Sequence, residues 1–299
     1  MERIRLCKME ANAYEHPEDR ETLKVLKGFS CFESVIKSFM DWNGVKADYV
    51  VRKASNFHVT KETCPELNQL MDDAISILNI DDVPRVYLEW GYNINGYTWG
   101  YRDTTMMVLN TGVIDLMDDM EQTFVIGHEL GHIKSKHVIY HTLAKILTSS
   151  ISNIPIIGSV PELFVLALTR WSRMSEFTAD RAGLLACQDV NAALRAIIKM
   201  SGVPHKYFDK INVESFLKEA ESLQKDLSFT DKAFEKVLNA VYNDHPWVLI
   251  RALELKKWVD SGEYEQILNE YKAIRCPVCG HYTIKSTTVC PKCDTSFNL

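Results

Sequence analysis

A chain of 299 residues is long enough for one large domain, or for one domain with a small addition. Its hydrophobic fraction of 46% and charged fraction of 25% are those of a globular protein and exclude a largely disordered chain. The net charge of −6, without a long basic cluster, argues against nucleic acid as a partner.

The first thirty residues mix acidic and basic side chains, and no apolar signal core is visible among them. Cys7, Cys31, Cys64 and Cys187 are scattered, whereas the other four cysteines lie close together near residue 299. We therefore expect a cytoplasmic protein, in which the cysteines stay reduced and the clustered ones bind a metal.

The first sixty residues are predicted to be mostly helical, with an apolar-periodic stretch over Leu23–Met40 and a short strand over Asp48–Arg52. A helix is predicted over Pro65–Leu78, where apolar residues recur at helical spacing. Three strands are predicted next, over Pro84–Trp90, Asn93–Gly100 and Thr105–Asn110, with a turn at 102–103 between the last two.

A helix with a metal-binding motif is predicted after residues 115–120, with Asp118 or Asp119 as its N-cap. A second strong helix is predicted over Leu163–Gln188, and further helices are expected at 191–200, 213–223 and 247–259. These elements predict an α+β fold, mainly helical, with a small antiparallel or mixed sheet.

The motif is His128-Glu129-Leu130-Gly131-His132, an HExxH sequence between apolar flanks, so its helix is predicted to be buried. Two histidines four positions apart lie on one helix face and can bind one zinc ion. Glu129 is then placed to take a proton from a water molecule that the metal polarises. The pattern indicates a metallopeptidase; the alternative, an amphipathic helix with two solvated histidines, does not fit the apolar flanks.

The downstream spacing excludes one class of zinc peptidase. In the metzincin pattern a glycine and a histidine would stand where this chain has Ser135 and Val138. His137 and His141 fall off the ligand face of the helix, and both are predicted to be ordinary polar residues near a helix end.

The better candidates for completing the site lie in the second long helix, where Glu176 and Asp180 share one face. Glu176 is the candidate third zinc ligand, and Asp180 is placed to accept a hydrogen bond from the far nitrogen of His128 or His132. A solvated acidic face is the alternative. Small residues should let this helix approach the first one closely: Ala179, Ala182 and Gly183.

The chain contains three motifs in this order: HELGH, EFTAD at 176–180, and Asp244-His-Pro246 followed by Arg251. Together they resemble the motifs of HtpX-like and CAAX prenyl protease-like zinc endopeptidases (gluzincins). The resemblance extends from about residue 48 to residue 255. It implies that Glu176 is a zinc ligand, that Asp180 orients a ligand histidine, and that the protein is an endopeptidase acting on proteins or peptides.

The same resemblance implies that His245 faces the zinc and hydrogen-bonds the oxyanion of the tetrahedral intermediate. A structural role for a lone histidine before proline is the alternative. The catalytic role predicts that His245→Ala lowers turnover far more than zinc content, and equal loss of both would contradict it. Arg251 is expected to hold this segment by pairing with a carboxylate.

The strand near Tyr97–Gly100 is the candidate edge for pairing with an extended substrate backbone. The alternative is that Tyr97 and Trp99 are sheet residues that fill the core.

The most apolar stretch of the chain covers residues 146–169 and is interrupted by Pro155, Pro161 and Glu162. Its longest uncharged run has 16 residues, whereas a membrane-spanning helix needs about 20. We expect this stretch not to span a membrane. Covering the cleft, contacting a membrane surface and packing in the core remain alternatives.

Cys276-Pro-Val-Cys279 and Cys290-Pro-Lys-Cys293 are two CxxC knuckles, whose four thiolates predict a second, structural zinc site. The residues between the knuckles, His281–Val289, are predicted to form a short hairpin. The resulting zinc ribbon is a candidate for binding a protein partner, for self-association or for recruiting substrate.

The predicted organisation is an N-terminal helical segment (1–47), a peptidase domain (48–262), a linker (263–275) and a zinc ribbon (276–299). The expected function is that of a zinc endopeptidase with one catalytic and one structural zinc. The alternative is a catalytically silent or gated scaffold that binds partners through the ribbon.

Overall fold

The computed structural model describes residues 3–101, 104–148, 160–228, 247–285 and 287–297. Its helices are α1 (Pro17–Lys27), α2 (Phe32–Asp41), α3 (Asn43–Ser55), α4 (Pro65–Leu78), α5 (Thr111–Leu116), α6 (Asp119–Lys134), α7 (Val138–Thr148), α8 (Glu162–Cys187), α9 (Val190–Met200), α10 (Val213–Ser228), α11 (Val248–Asp260) and α12 (Glu263–Glu270). Its strands are β1 (Phe57–His58), β2 (Arg85–Glu89), β3 (Gly96–Tyr101), β4 (Thr104–Asn110), β5 (Ala273–Arg275) and β6 (Tyr282–Ile284). The predicted mainly helical α+β fold is confirmed.

The larger sheet has the strand order β1-β2-β4-β3 among the described residues, so β3 forms one of its edges. β1 pairs with β2 and β3 pairs with β4 in antiparallel fashion, whereas β2 and β4 run parallel. The sheet is therefore mixed, one of the two arrangements predicted. The parallel pair arises because β3 and its connections separate β2 from β4 along the chain.

Strand β4 is buried on both faces of this sheet from Met106 onwards. Met107 and Leu109 belong to the larger core, which includes residues of α4, α6, α8, α9 and α11. Met106 and Val108 belong to a second core under α2, α3 and α7. The alternation follows from the two-residue period of a strand and explains why β4 is an almost continuous apolar run.

The segment 48–52, predicted as a short strand, instead lies within α3, so that prediction is wrong. Val50 and Val51 favour a strand by local propensity, but both are exposed in the helix. Helical geometry brings Arg52 to within 2.6 Å of Asp48, four residues earlier, and directs Val45 into the second core. Packing of α3 against the sheet overrides the local preference.

The segment predicted as a linker, 263–275, is structured. It forms α12, whose Tyr264, Ile267 and Leu268 are buried in the larger core, and then β5. Leu6, near the N-terminus, forms a bridge with Lys272 in the same segment.

Within the described ranges, no helix combines the length and the apolar character that crossing a membrane requires. Residues 149–159, the middle of the apolar stretch, lie outside the described residues.

Candidate metal centre

The helix that carries the HExxH motif begins at a capping box. The side chain of Asp118 accepts hydrogen bonds from the backbone N–H groups of Met120 and Glu121, and the side chain of Glu121 accepts one from the backbone of Asp118. Asp118 is thus the N-cap, one of the two candidates named from the sequence. The capping box fixes where α6 begins, and the four-residue spacing places His128 and His132 one turn apart within its buried part.

Three buried side chains converge where α6 meets α8. Glu176 has one carboxylate oxygen 3.5 Å from Nε2 of His128 and the other 3.3 Å from Nε2 of His132. One ligand atom from each of the three residues lies within 4.8 Å of the others. Two imidazole nitrogens and a carboxylate oxygen form a donor set that suits a divalent metal such as zinc.

The close approach of α6 and α8 depends on small residues at their contact. A Cβ atom on Gly131 would lie 2.6 Å from Cβ of Ala182, and one on Gly127 would lie 2.4 Å from Cβ of Ala186. A Cβ atom on Gly183 would lie 2.8 Å from the carbonyl oxygen of Phe124. The predicted slim face of α8 is therefore matched by glycines on α6.

Asp180 lies behind His128 and not behind His132. Its Oδ1 atom is 3.0 Å from Nδ1 of His128. Arg251 donates one hydrogen bond to Oδ1 of Asp180, at 2.6 Å, and one to Oδ2, at 2.8 Å. Arg251 also approaches Glu176 at 3.3 Å, so this buried arginine of α11 pairs with both carboxylates. Burial alone would raise the pKa of Asp180, but the Arg251 charge holds it below its usual value.

The two candidate ligand histidines differ in their affinity for a proton. Burial disfavours the charged form of His128, but its contacts with Asp180 and Glu176 raise its pKa to about 9. Burial lowers the pKa of His132 to about 4, although Glu176 attracts the proton. The carboxylates of Asp180 and Glu176 thus favour a positive charge at this place, which either a proton on His128 or a metal ion can supply.

Glu129 is buried and lies next to the first residue of β3. A Cβ atom on Gly96 would lie 3.2 Å from Oε1 of Glu129, so glycine leaves room at the point where the edge strand passes the motif. Trp99 of the same strand is buried in the second core, and Arg52 stacks on it at 4.4 Å. The side chain at 99 fills the core, as one alternative states, while the pairing of the β3 backbone with substrate stays a prediction.

His137 and His141 are not ordinary polar residues near a helix end, so that prediction is wrong. His137 is buried, and its Nδ1 atom lies 3.1 Å from Nδ1 of His132. The ring of His141 lies 4.6 Å from that of His132, and its Nε2 atom is 2.8 Å from Oγ of Ser175. Helix α6 ends just after His132, and the turn into α7 brings both rings back beside it, off the face that helical spacing alone would give them.

Asp19, whose carboxylate lies 3.2 Å from Nε2 of His137, was not among the residues predicted for the site. Asp19 is in α1, far from the motif in sequence, and is fully buried. In a helix as rich in charged residues as α1, nothing local indicates which acidic residue is buried, so only the packing of α1 against α8 reveals it.

Four cysteine sulfurs lie together near the C-terminus. Sγ of Cys276 is 3.6 Å from that of Cys293, and Sγ of Cys279 is 3.6 Å from that of Cys290, distances typical of separate thiolates around one metal and too long for a disulfide. The residue after each knuckle, Gly280 or Asp294, has a positive φ, so the two knuckles turn alike. This cluster can form a zinc ribbon.

The hairpin predicted within His281–Val289 is wrong in its pairing. β6, at Tyr282–Ile284, pairs across the first knuckle with β5, and Val289 pairs with Ser296 across the second. Each knuckle is therefore the tip of its own small hairpin.

His245, the remaining predicted site residue, lies outside the described residues.

Comparison with known proteins agrees with this geometry. A plastoglobule-localized chloroplastic metallopeptidase 48 of Arabidopsis thaliana is 28% identical over 262 residues, which cover 87% of this chain and 76% of the relative. A protease HtpX homolog of Burkholderia multivorans is 22% identical over 240 residues, which cover 72% of this chain and 82% of the relative. No solved structure matches the chain.

The profile of one family spans the motif, the Glu176 helix and Arg251. It is peptidase family M48, and it matches residues 61–259. The chain therefore belongs to peptidase family M48 and is a metal-dependent protease.

Proposed function

We propose that this protein is a zinc-dependent endopeptidase, with His128, His132 and Glu176 as the ligands of the catalytic ion. The convergence of their three buried ligand atoms within 4.8 Å is the observation that carries the proposal. Two imidazoles and one carboxylate leave a fourth tetrahedral position for water or substrate. When bound, zinc supplies Lewis-acid polarisation of water and of a peptide carbonyl.

Glu129 acts as the general base and then as the general acid. It takes a proton from the attacking water and delivers it to the nitrogen of the leaving amine. Its burial next to Gly96 supports this role, because a carboxylate shielded from bulk water transfers protons to groups held beside it. Asp180 orients His128, and the cation of Arg251 pairs with the carboxylates of Asp180 and Glu176.

The substrate is proposed to be a protein or peptide that lies extended along the β3 edge. This strand ends the larger sheet and begins beside Glu129, so a chain added to it would bring its carbonyls past the site. A Pro scan through residues 97–99 tests the idea: loss of cleavage in folded variants supports it, and intact cleavage would remove it.

The four-cysteine cluster is proposed to hold a second, structural zinc and to serve partner binding or self-association. Sulfur would fill all four positions, so this site has none open for catalysis. We propose a cytoplasmic location. A peripheral membrane location is the alternative that the plastoglobule-localized relative and the apolar stretch support.

The decisive test is cleavage of a mixed peptide library by the zinc-loaded protein beside Glu129→Gln, with products read by mass spectrometry. We expect internal cuts that are absent from the variant, while both proteins bind the same amount of zinc. Trimming only from peptide ends would contradict endopeptidase action. No cuts by either protein would favour the gated or silent scaffold.

A further inference from the structure

The imidazole of His132 has two nitrogens, and the structure gives each of them a partner. Nε2 points to Glu176, whereas Nδ1 lies 3.1 Å from Nδ1 of His137. On its other side His137 has Nε2 3.2 Å from Oδ2 of Asp19. A continuous line of buried contacts therefore runs from His132 through His137 to Asp19.

Asp19 is held in place at the far end of this line. Its oxygens accept hydrogen bonds from Nε1 of Trp171 at 2.8 Å and from Oγ1 of Thr178 at 2.6 Å, and all three residues are buried. Burial alone would raise the pKa of this carboxyl, but its contacts with His137 lower it, so Asp19 is an acceptor. Trp171 and Thr178 belong to α8, the helix that also carries Glu176.

With a metal on Nε2 of His132, one placement of the ring protons makes every contact along this line a hydrogen bond. Two Nδ1 atoms that face each other need one donor and one acceptor. If Nε2 of His132 binds a metal, its proton is on Nδ1 and is donated to Nδ1 of His137. His137 then carries its own proton on Nε2 and donates it to the carboxylate of Asp19. A carboxylate accepts only, so it sets this order.

We propose that Asp19 is a positioning residue for the catalytic metal, acting through His137 to fix the tautomer and the ring orientation of His132. The inference rests on the proposed metal ligation by His132. Asp19 lies outside residues 61–259, which match the family, so here the N-terminal helix completes the site. The two ligand histidines have different supports, Asp180 for His128 and the His137–Asp19 pair for His132.

A competing arrangement uses the same rings differently. One nitrogen each from His132, His137 and His141 lies within 4.8 Å of the others, so these three could bind a metal of their own. His137 would then be a ligand and not a hydrogen-bonding link. Zinc content separates the two arrangements. With the cysteine site filled, the line from His132 to Asp19 requires two zinc ions per chain, whereas the competing three-histidine site adds a third.

The first test needs no variant. In the full-length zinc protein, ¹⁵N NMR of the histidine rings should show the proton of His132 on Nδ1 and that of His137 on Nε2. A proton on Nδ1 of His137 would overturn the proposal, as would a third zinc ion that is lost in His141→Ala.

The second test compares Asp19→Asn with Glu121→Gln in the full-length protein, with zinc retained in the cysteine cluster and Co²⁺ added to the histidine site. Glu121 is a matched control because it is also fully buried and paired with cations, Arg195 and Lys199, but lies away from His132. We expect Co²⁺ to bind Asp19→Asn about 10–100-fold more weakly with an altered visible spectrum, and Glu121→Gln to keep both properties.

A third variant, His132→Ala, separates failure of the positioning role of Asp19 from failure of the proposed metal ligation by His132. If His132→Ala loses Co²⁺ binding and Asp19→Asn matches the wild type, only the role of Asp19 fails. If His132→Ala binds Co²⁺ as the wild type does, the proposed ligand set itself fails.

Discussion

Arg251 determines the charge balance behind the candidate metal centre. It is 1% exposed and lies between the carboxylates of Asp180 and Glu176, each of which also contacts a histidine. Two buried carboxylates without a cation would be strongly unfavourable. The sequence predicted that Arg251 pairs with a carboxylate, but only the structure shows that there are two and that both belong to α8.

Replacing Arg251 with methionine should therefore destabilise the protein by about 3–5 kcal/mol, because it leaves buried negative charge without its partner. Urea unfolding monitored by circular dichroism measures the change. Arg195→Met is the matched control: it is 35% exposed, and its partner Glu121 keeps Lys199 at 2.6 Å, so a loss below about 1 kcal/mol is expected. Equal losses in the two variants would contradict the assignment.

The contact between α6 and α8 is the feature at the scale of elements that positions the site. His128 and His132 are on one helix and Glu176 is on the other, so the distance between the helices decides whether three ligand atoms meet. Glycine at 127 and 131 allows the two backbones to come close.

Gly131→Ala tests this requirement. Alanine normally stabilises a helix relative to glycine by about 1 kcal/mol, but here its Cβ atom would lie 2.6 Å from Cβ of Ala182. We expect a net loss of about 1–3 kcal/mol in the free energy of unfolding. Adding Ala182→Gly should recover part of it, since it removes the clashing atom, and a stabilised Gly131→Ala variant would refute the close contact.

The two knuckles near the C-terminus form a separate element, for which a structural zinc ion of its own is proposed. Replacing the buried Cys290 with serine should lower the zinc content from two ions per chain to one, because three thiolates bind more weakly than four. Metal analysis measures this change, and peptide cleavage is expected to persist. Unchanged zinc content would argue against the four-cysteine site, and loss of both ions would show that the two sites depend on each other.

At the scale of the whole molecule, the N-terminal segment packs against elements that are distant in the sequence. Leu6 bridges Lys272, and Arg181 hydrogen-bonds to the backbone of Tyr14. His16 approaches Glu254 of α11 at 3.6 Å, and its Nδ1 atom accepts a hydrogen bond from Glu18, so its Nε2–H is free to donate to the carboxylate. These contacts also hold α1, and with it Asp19, in place.

The contact with His16, aided by Lys257, lowers the pKa of Glu254 to about 2 from 4.5. A carboxyl whose pKa is lower in the folded state stabilises the fold above its unfolded pKa and loses this effect as pH falls towards the folded value. Above pH 4.5, Glu254→Gln should therefore be less stable than the wild type by at most about 1 kcal/mol and should unfold at a lower temperature. This difference should shrink between pH 4.5 and 2.

Thermal unfolding across pH measures this difference. Glu219→Gln, on the exposed face of α10, provides the control and should leave stability almost unchanged. A Glu254→Gln difference that persists or grows on acidification would show that the contact does not act through the charge of Glu254.

The sequence by itself determined the features that depend on local spacing. Residues three or four apart on a helix must share a face, so HELGH and EFTAD were enough to propose His128, His132, Glu129 and Glu176 as site residues, and CxxC spacing was enough to propose the four cysteines as metal ligands. Apolar periodicity likewise predicted α4, and the motif with its apolar flanks predicted α6 as a buried helix; α8 and the mainly helical class were also predicted.

Only the tertiary structure decided which distant residues meet. The line from His132 to Asp19, the pairing of Arg251 with two carboxylates, the parallel pairing of β2 with β4 and the helical state of residues 48–52 all depend on how complete elements pack. Local propensity carries no information about such contacts. Their stability comes from burial and charge pairing between segments that are far apart in the chain.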